Sequence, residues 1–208
     1  MDRPTEALME ESGRKRPARE GFNFTWHMRR LCLDLTDRLS ELGHIDLSRV
    51  GIRFCQARKA VRHGVHASLT PLRFAGGALS VKRGKHHWRI ERLYDADGRE
   101  LLYLLSFYLP RFCEHSYEEK LGTVIHELWH ISPLFDGDLR RHPGRCFAHS
   151  HSRRQYDDLM GELARKWLRL DPPDPASEFL KFNFRELEER YGRVFGQRIV
   201  TPKLVRAS

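Results

Sequence analysis

The sequence predicts an α+β fold, a small antiparallel sheet packed on two or three helices. Three observations lead there. Apolar residues recur at helical spacing around 26–42, 116–130 and 153–170. The segment between the first two reads as short strands separated by Gly-Gly and Asp-Gly turns. The chain has 208 residues, 40% of them hydrophobic and 31% charged. That suits a single domain with appendages, and it is too apolar for a disordered chain.

The elements follow in order. Residues 1–22 are charged and rich in Pro and Gly, as expected of a flexible tail. Residues 23–170 form the expected domain, and 171–208 a linker and C-terminal extension packing on it. Met28, Leu31, Leu35, Leu39 and Leu42 make one apolar stripe on a helix from about Trp26 to Leu42, with Gly43 placed to cap it. Val50, Ile52 and Phe54 alternate with Gly51, Arg53 and Cys55, the period of a half-buried strand. A second strand is expected over Ala67–Phe74, ended by Gly76 and Gly77. Trp88–Tyr94 and Glu100–Leu109 flank the turn Asp95-Ala96-Asp97-Gly98 and are expected to pair as an antiparallel hairpin.

Ser116 and Glu119 have the spacing of a capping box, and Leu121, Ile125 and Leu128 follow as a core-facing stripe until Pro133. A loop of about 18 residues leads to a helix over Arg153–Leu170 with the stripe Tyr156, Leu159, Leu163, Trp167 and Leu170. A short helix capped by Asn183 and a strand near 198–205 complete the expectation.

His126-Glu127-Leu128-Trp129-His130 is an H-E-x-x-H motif. Residues four apart on a helix share a face, so two imidazoles can hold one metal ion. The intervening Glu127 then stands beside the open coordination position, where a general base for an attacking water is needed. The third ligand has several candidates: Asp136, Asp138, His142, His149 and His151. Asp136 lies six residues after His130, the spacing of metzincin-type sites. Those sites need Gly three residues after the second His, and here that position is Pro133, so Asp136-Gly137-Asp138 reads as a turn. His142 precedes Pro143-Gly144, a break that turns an imidazole back over the helix. His149, His151, Tyr156 and the arginines between 140 and 145 are open candidates for stabilising an oxyanion.

The run His126–His130, with His142-Pro143-Gly144-Arg145-Cys146-Phe147 after it, resembles the SprT-like metallopeptidases, a group with relatives in phage and bacterial genomes. The resemblance covers roughly residues 24–170, with its specific motifs in 126–147. It implies a zincin-like fold, a Zn2+ cofactor held by His126, His130 and His142, catalysis by Glu127, and a peptide or protein substrate. The strand Glu100–Leu109 is then expected to line the cleft and to accept an extended peptide on its edge.

Net charge is +9, and its distribution is uneven. No acidic residue occurs between Asp46 and Glu91, an interval with ten Lys and Arg, which leaves the rest of the chain close to neutral. Residues 47–90 are therefore a candidate nucleic-acid surface. Substrates on this reading include nucleic-acid-associated proteins. The alternative is a nucleic-acid-binding protein whose zinc site is structural or vestigial. Cys32, Cys55, Cys113 and Cys146 contain no Cys-x-x-Cys pair, which excludes a zinc ribbon and points to reduced thiols. No signal-like segment and no apolar run of about 20 residues occurs, so a cytoplasmic protein with no membrane partner is expected.

Overall fold

A computed structural model of the chain describes residues 21–57, 63–141 and 153–207. Its architecture is mixed α+β. Strand β1 (Phe22–Asn23) leads into helix α1 (Phe24–Arg38), where the Asn23 side chain caps the Trp26 N–H at 3.2 Å. All five residues of the expected stripe are buried. The helix nevertheless stops at Arg38, earlier than its apolar period suggests. Leu39 and Leu42 are buried from a tight turn beyond it, and Gly43 caps nothing.

Strand β2 (Val50–Gln56), β3 (Ala67–Pro71) and β6 (Tyr103–Leu109) form one sheet in the order β2–β6–β3. The sheet is mixed rather than antiparallel: β2 runs parallel to β6 and β3 antiparallel to it. A second, antiparallel sheet contains β4 (Ser80–Arg83), β5 (His86–Ile90) and β8 (Leu204–Arg206). The remaining elements are α2 (Tyr117–Trp129), α3 (Arg153–Arg169), α4 (Asp174–Ser177), α5 (Phe184–Tyr191) and β7 (Val194–Phe195), the last pairing parallel with β1.

The expected hairpin between 88–94 and 100–109 is therefore a correction. The turn forms as read, with Asp95 Oδ1 accepting the N–H groups of Asp97 and Arg99 and a bridge at Tyr94–Glu100. Beyond it the strands part. β6 is apolar on both faces and takes the sheet centre, whereas β5 carries His86, His87 and Arg89 and stays in water. Glu100 marks the junction, clamped by Arg73 at 2.5 Å and Arg92 at 3.4 Å.

β2 is likewise not half-buried. Its second face is covered by the C-terminal segment, where Arg53 donates to Ser106 Oγ at 2.7 Å and to the Ile199 carbonyl at 2.9 Å. A Cβ at Gly51 would come within 2.8 Å of Leu104 Cδ2 and 2.9 Å of Ile199 Cδ1, so the close approach requires glycine.

One main core joins α1, β2, β6, α2 and α3, with Phe179, Leu180 and Leu187 of the C-terminal segment inside it. On α3, Leu163 and Trp167 are buried as expected, together with Met160. Leu170 is exposed because the helix has already ended.

Candidate metal centre

Helix α2 begins at a complete capping box. Ser116 Oγ accepts the Glu119 N–H at 3.2 Å, and the Ser116 N–H reaches the Glu119 carboxylate at 2.8 Å. Leu121, Val124, Ile125 and Leu128 face the core and fix the rotation of the helix. That rotation leaves His126 and His130 half-buried on the adjoining face. Their Nε2 atoms lie 3.0 Å apart, with ring centroids at 4.6 Å and ring planes at 82°.

The spacing bears on a shared ion. Two imidazole nitrogens about 2.05 Å from one tetrahedral centre are separated by about 3.3 Å. The observed pair fits that distance to within a few tenths of an ångström.

Glu127 is 8% exposed, and burial pushes its carboxyl up to about 7 against the lowering effect of the Leu69 backbone N–H, which donates to it. Leu69 is in β3. The His66 and Leu72 backbones bond to β6 at 2.9 Å each, so alternate residues Ala67, Leu69 and Pro71 turn their polar groups outward. β3 is thus the free edge beside the motif. The assignment of that role to Glu100–Leu109 is corrected, because β6 is hydrogen-bonded on both sides.

A cleft of about 800 Å³ runs along α2 between β3 and α3, lined among others by His66, His115, Thr123, His126 and Glu127. At its far end the rings of His66 and His115 are 4.0 Å apart, and His115 Nδ1 is 3.4 Å from Glu119. The sequence reading missed both. Positions 119, 122 and 126 share one helical line, but His115 precedes the helix with extended backbone, so neither His115 nor His66 carries a periodic signal.

After α2 the chain doubles back. Ile131 bridges Leu139, and the Arg140 N–H donates to the His130 carbonyl at 2.7 Å. The Arg140 guanidinium lies 4.1 Å over the Trp129 ring and donates to the Trp129 carbonyl at 2.7 Å. Asp136-Gly137-Asp138 is the turn of this excursion, with the Asp136 carboxylate accepting the Asp138 N–H at 3.1 Å. Asp138 is buried. It accepts from the N–H groups of Gly76 and Leu139 at 2.9 and 2.8 Å and from the Arg141 guanidinium at 2.7 and 3.0 Å. Burial acts to raise its carboxyl, but these donors prevail and hold it below the ordinary range. Tyr103 ties the turn to β6, donating to the Asp138 carbonyl and accepting the Gly137 N–H, both at 2.9 Å.

The structure thus brings together His126, His130 and Glu127. His142, His149 and His151 lie outside the described residues, and among the described residues no group of three or more His, Cys, Asp or Glu side chains could hold a metal. Cys32 and Cys113 are buried thiols pushed up to about 12 by that burial, and neither they nor Cys55 form a disulfide. Cys146 also lies outside the described residues.

The acid-free interval does not form one surface. Arg53 and Arg73 are buried and hydrogen-bonded, and Arg49 donates to the Glu100 carbonyl. Lys82, Arg83, Lys85 and Arg89 are exposed on or beside β4 and β5, while Arg58, Lys59 and Arg62 lie outside the described residues. Among the described residues no helix is long and apolar enough to cross a membrane. No protein-family model, curated protein or solved structure matches this chain.

Proposed function

We propose that the chain is a zinc-dependent peptidase of the SprT-like, zincin kind, hydrolysing peptide bonds in an extended substrate. The observation that carries the reading is the 3.0 Å approach of His126 and His130 Nε2, with the buried Glu127 between them in sequence and lining the same cleft as His126. His142 is the third ligand in this reading. It follows by two residues the point where Arg140 is hydrogen-bonded to His130, so the short return 131–141 delivers the chain to the end of α2.

Zinc held there would supply Lewis acidity toward a water and a scissile carbonyl. The residues do the rest. His126 and His130 orient the site from a helix locked by its cap and core face. The outward groups of Ala67 and the Leu69 carbonyl hold an extended peptide as an added strand. Glu127 takes a proton from the attacking water and delivers it to the leaving amine nitrogen.

The test is metal analysis joined to hydrolysis of a quenched-peptide library. Wild type should carry about one zinc per chain, and His126→Ala, His130→Ala and His142→Ala should each lose it. Glu127→Gln should keep zinc while activity falls about 100-fold or more. A folded wild type indifferent to zinc ends the reading. Full activity in Glu127→Gln would remove Glu127 from the proton transfer, whereas zinc retained without hydrolysis would favour a structural site in a binding protein.

A further inference from the structure

The exposed cations left over from the acid-free interval are gathered by an element distant in sequence. β8 adds to β5 and brings Arg206 opposite Trp88, while Lys203 lies just before it. Neither 75–90 nor 198–207 contains a single Asp or Glu, so the sheet β4–β5–β8 assembles two acid-free stretches. Lys82, Arg83, Lys85, Arg89, Lys203 and Arg206 are all exposed there.

Register sorts them by face. Val81 pairs with Trp88, Arg83 with His86, and Trp88 with Arg206, so Arg83, His86 and Arg206 surround a half-buried indole on one side. The Arg206 guanidinium lies 5.9 Å from the Trp88 ring. Lys82, His87 and Arg89 occupy the other side, and Lys85 stands at the apex beside Gly84 at φ +60°. At the foot of the sheet is a cleft of about 850 Å³ lined among others by Arg89, Glu91 and Arg206. The Glu91 carboxylate there accepts the Lys203 backbone N–H at 2.8 Å.

We propose that the Trp88 face of the β4–β5–β8 sheet is a docking surface for single-stranded nucleic acid, with phosphates on Arg83, Arg206 and the apical Lys85 and a base stacked on Trp88. Charge complementarity selects a polyanion, since Arg83, Lys85 and Arg206 stand around the indole and no Asp or Glu occurs on the strands that carry them. The indole among them selects an unpaired strand, because a base must leave its own stack to lie on an aromatic ring. Lysines on the edge strand β4 also guard against edge-to-edge pairing. That role alone explains neither Trp88 nor the recruitment of Arg206 from the far end of the chain. The inference does not depend on the peptidase reading, and its test needs no activity.

The experiment is a titration of fluorescent oligothymidylate, and of a duplex of equal length, with the full chain at about 50 and about 200 mM salt. Three neutralised phosphates give a slope of about −2.1 in log K against log salt, or about 20-fold weaker binding across that range. Lys82→Glu/Arg83→Glu/Lys85→Glu should lose at least about tenfold at the lower salt and flatten the slope. Trp88→Ala should weaken the single strand about 5- to 100-fold and leave the slope unchanged. Lys85→Glu alone, at an exposed turn, serves if the triple variant misfolds, and it should reduce the slope by about 0.7. Absence of binding at the lower salt, or binding untouched by these reversals, overturns the proposal. A duplex bound as tightly as the single strand, with Trp88→Ala silent, overturns the single-strand assignment.

Discussion

Asp138→Ala tests the device that returns the chain to the end of the motif helix. The substitution removes the acceptor of the half-buried Leu139 N–H and of the N–H of the exposed Gly76, which water can reach. Each unsatisfied donor costs about 1–3 kcal/mol. The Arg141 partner is 45% exposed and adds under about 1 kcal/mol. A loss of about 2 kcal/mol, or about 4–8 °C in Tm for a domain of this size, is expected by calorimetry or urea unfolding. Asp138→Asn keeps the shape but turns an amide N–H toward donors, so it should fall close to the alanine variant. Acid provides a second signature. The folded-state carboxyl is held below its unfolded value of about 3.9, so its contribution is complete above that pH and fades as pH falls through the folded value. The difference between wild type and Asp138→Ala should therefore shrink from pH 7 to below pH 3. A Tm change under about 2 °C, or a difference that grows in acid, would refute the reasoning.

Two further outcomes follow from packing and charge. Gly51→Ala inserts a methyl among Leu104, Ile199 and Leu101 and should cost about 1–3 kcal/mol by equilibrium unfolding, and a neutral result would show that the C-terminal cover yields. Lys166→Met removes the 2.7 Å pair with Glu41, whose carboxyl is lowered chiefly by that hydrogen bond. Both partners are substantially exposed, so under about 1 kcal/mol is expected at pH 7. The difference should vanish as pH falls through the lowered Glu41 value, and it should not persist at pH 2.

The legible parts of this chain are those whose information is local. The capping box at Ser116, the Asn183 cap of α5 and the α1 part of the stripe, Met28 to Leu35, depend on residues three or four apart, and each forms as the spacing predicts. The His126–His130 approach is legible for the same reason. Partners across the fold are not. Nothing near residue 88 announces that β5 pairs with 204–206, and nothing near Arg53 shows that Ile199 and Thr201 receive its guanidinium. The free edge at β3 was hidden because β6, more apolar, looked the better strand. Its apolarity in fact marks it as the sheet centre. Leu69, His66 and the Asp138 anchor enter the site through tertiary contacts that have no sequence period.

The clasp between the two ends of the described chain also sets a timetable for folding. Thr25 Oγ1 accepts from Gln197 and Arg53 reaches Ile199 and Thr201, partners 172, 146 and 148 positions apart. Phe22 is sealed only when β7 arrives, and Lys120 on α2 waits for the Phe182 carbonyl at 2.8 Å. Contacts so distant close slowly, because the loop entropy is lost before any of them forms. On a ribosome emitting about 5–20 residues per second, α2 and its histidines emerge several seconds before the segment that encloses them. During that interval the far face of β2 and β6 is open to water and to other chains. The motif helix is thus ready early, and the molecule around it is completed last.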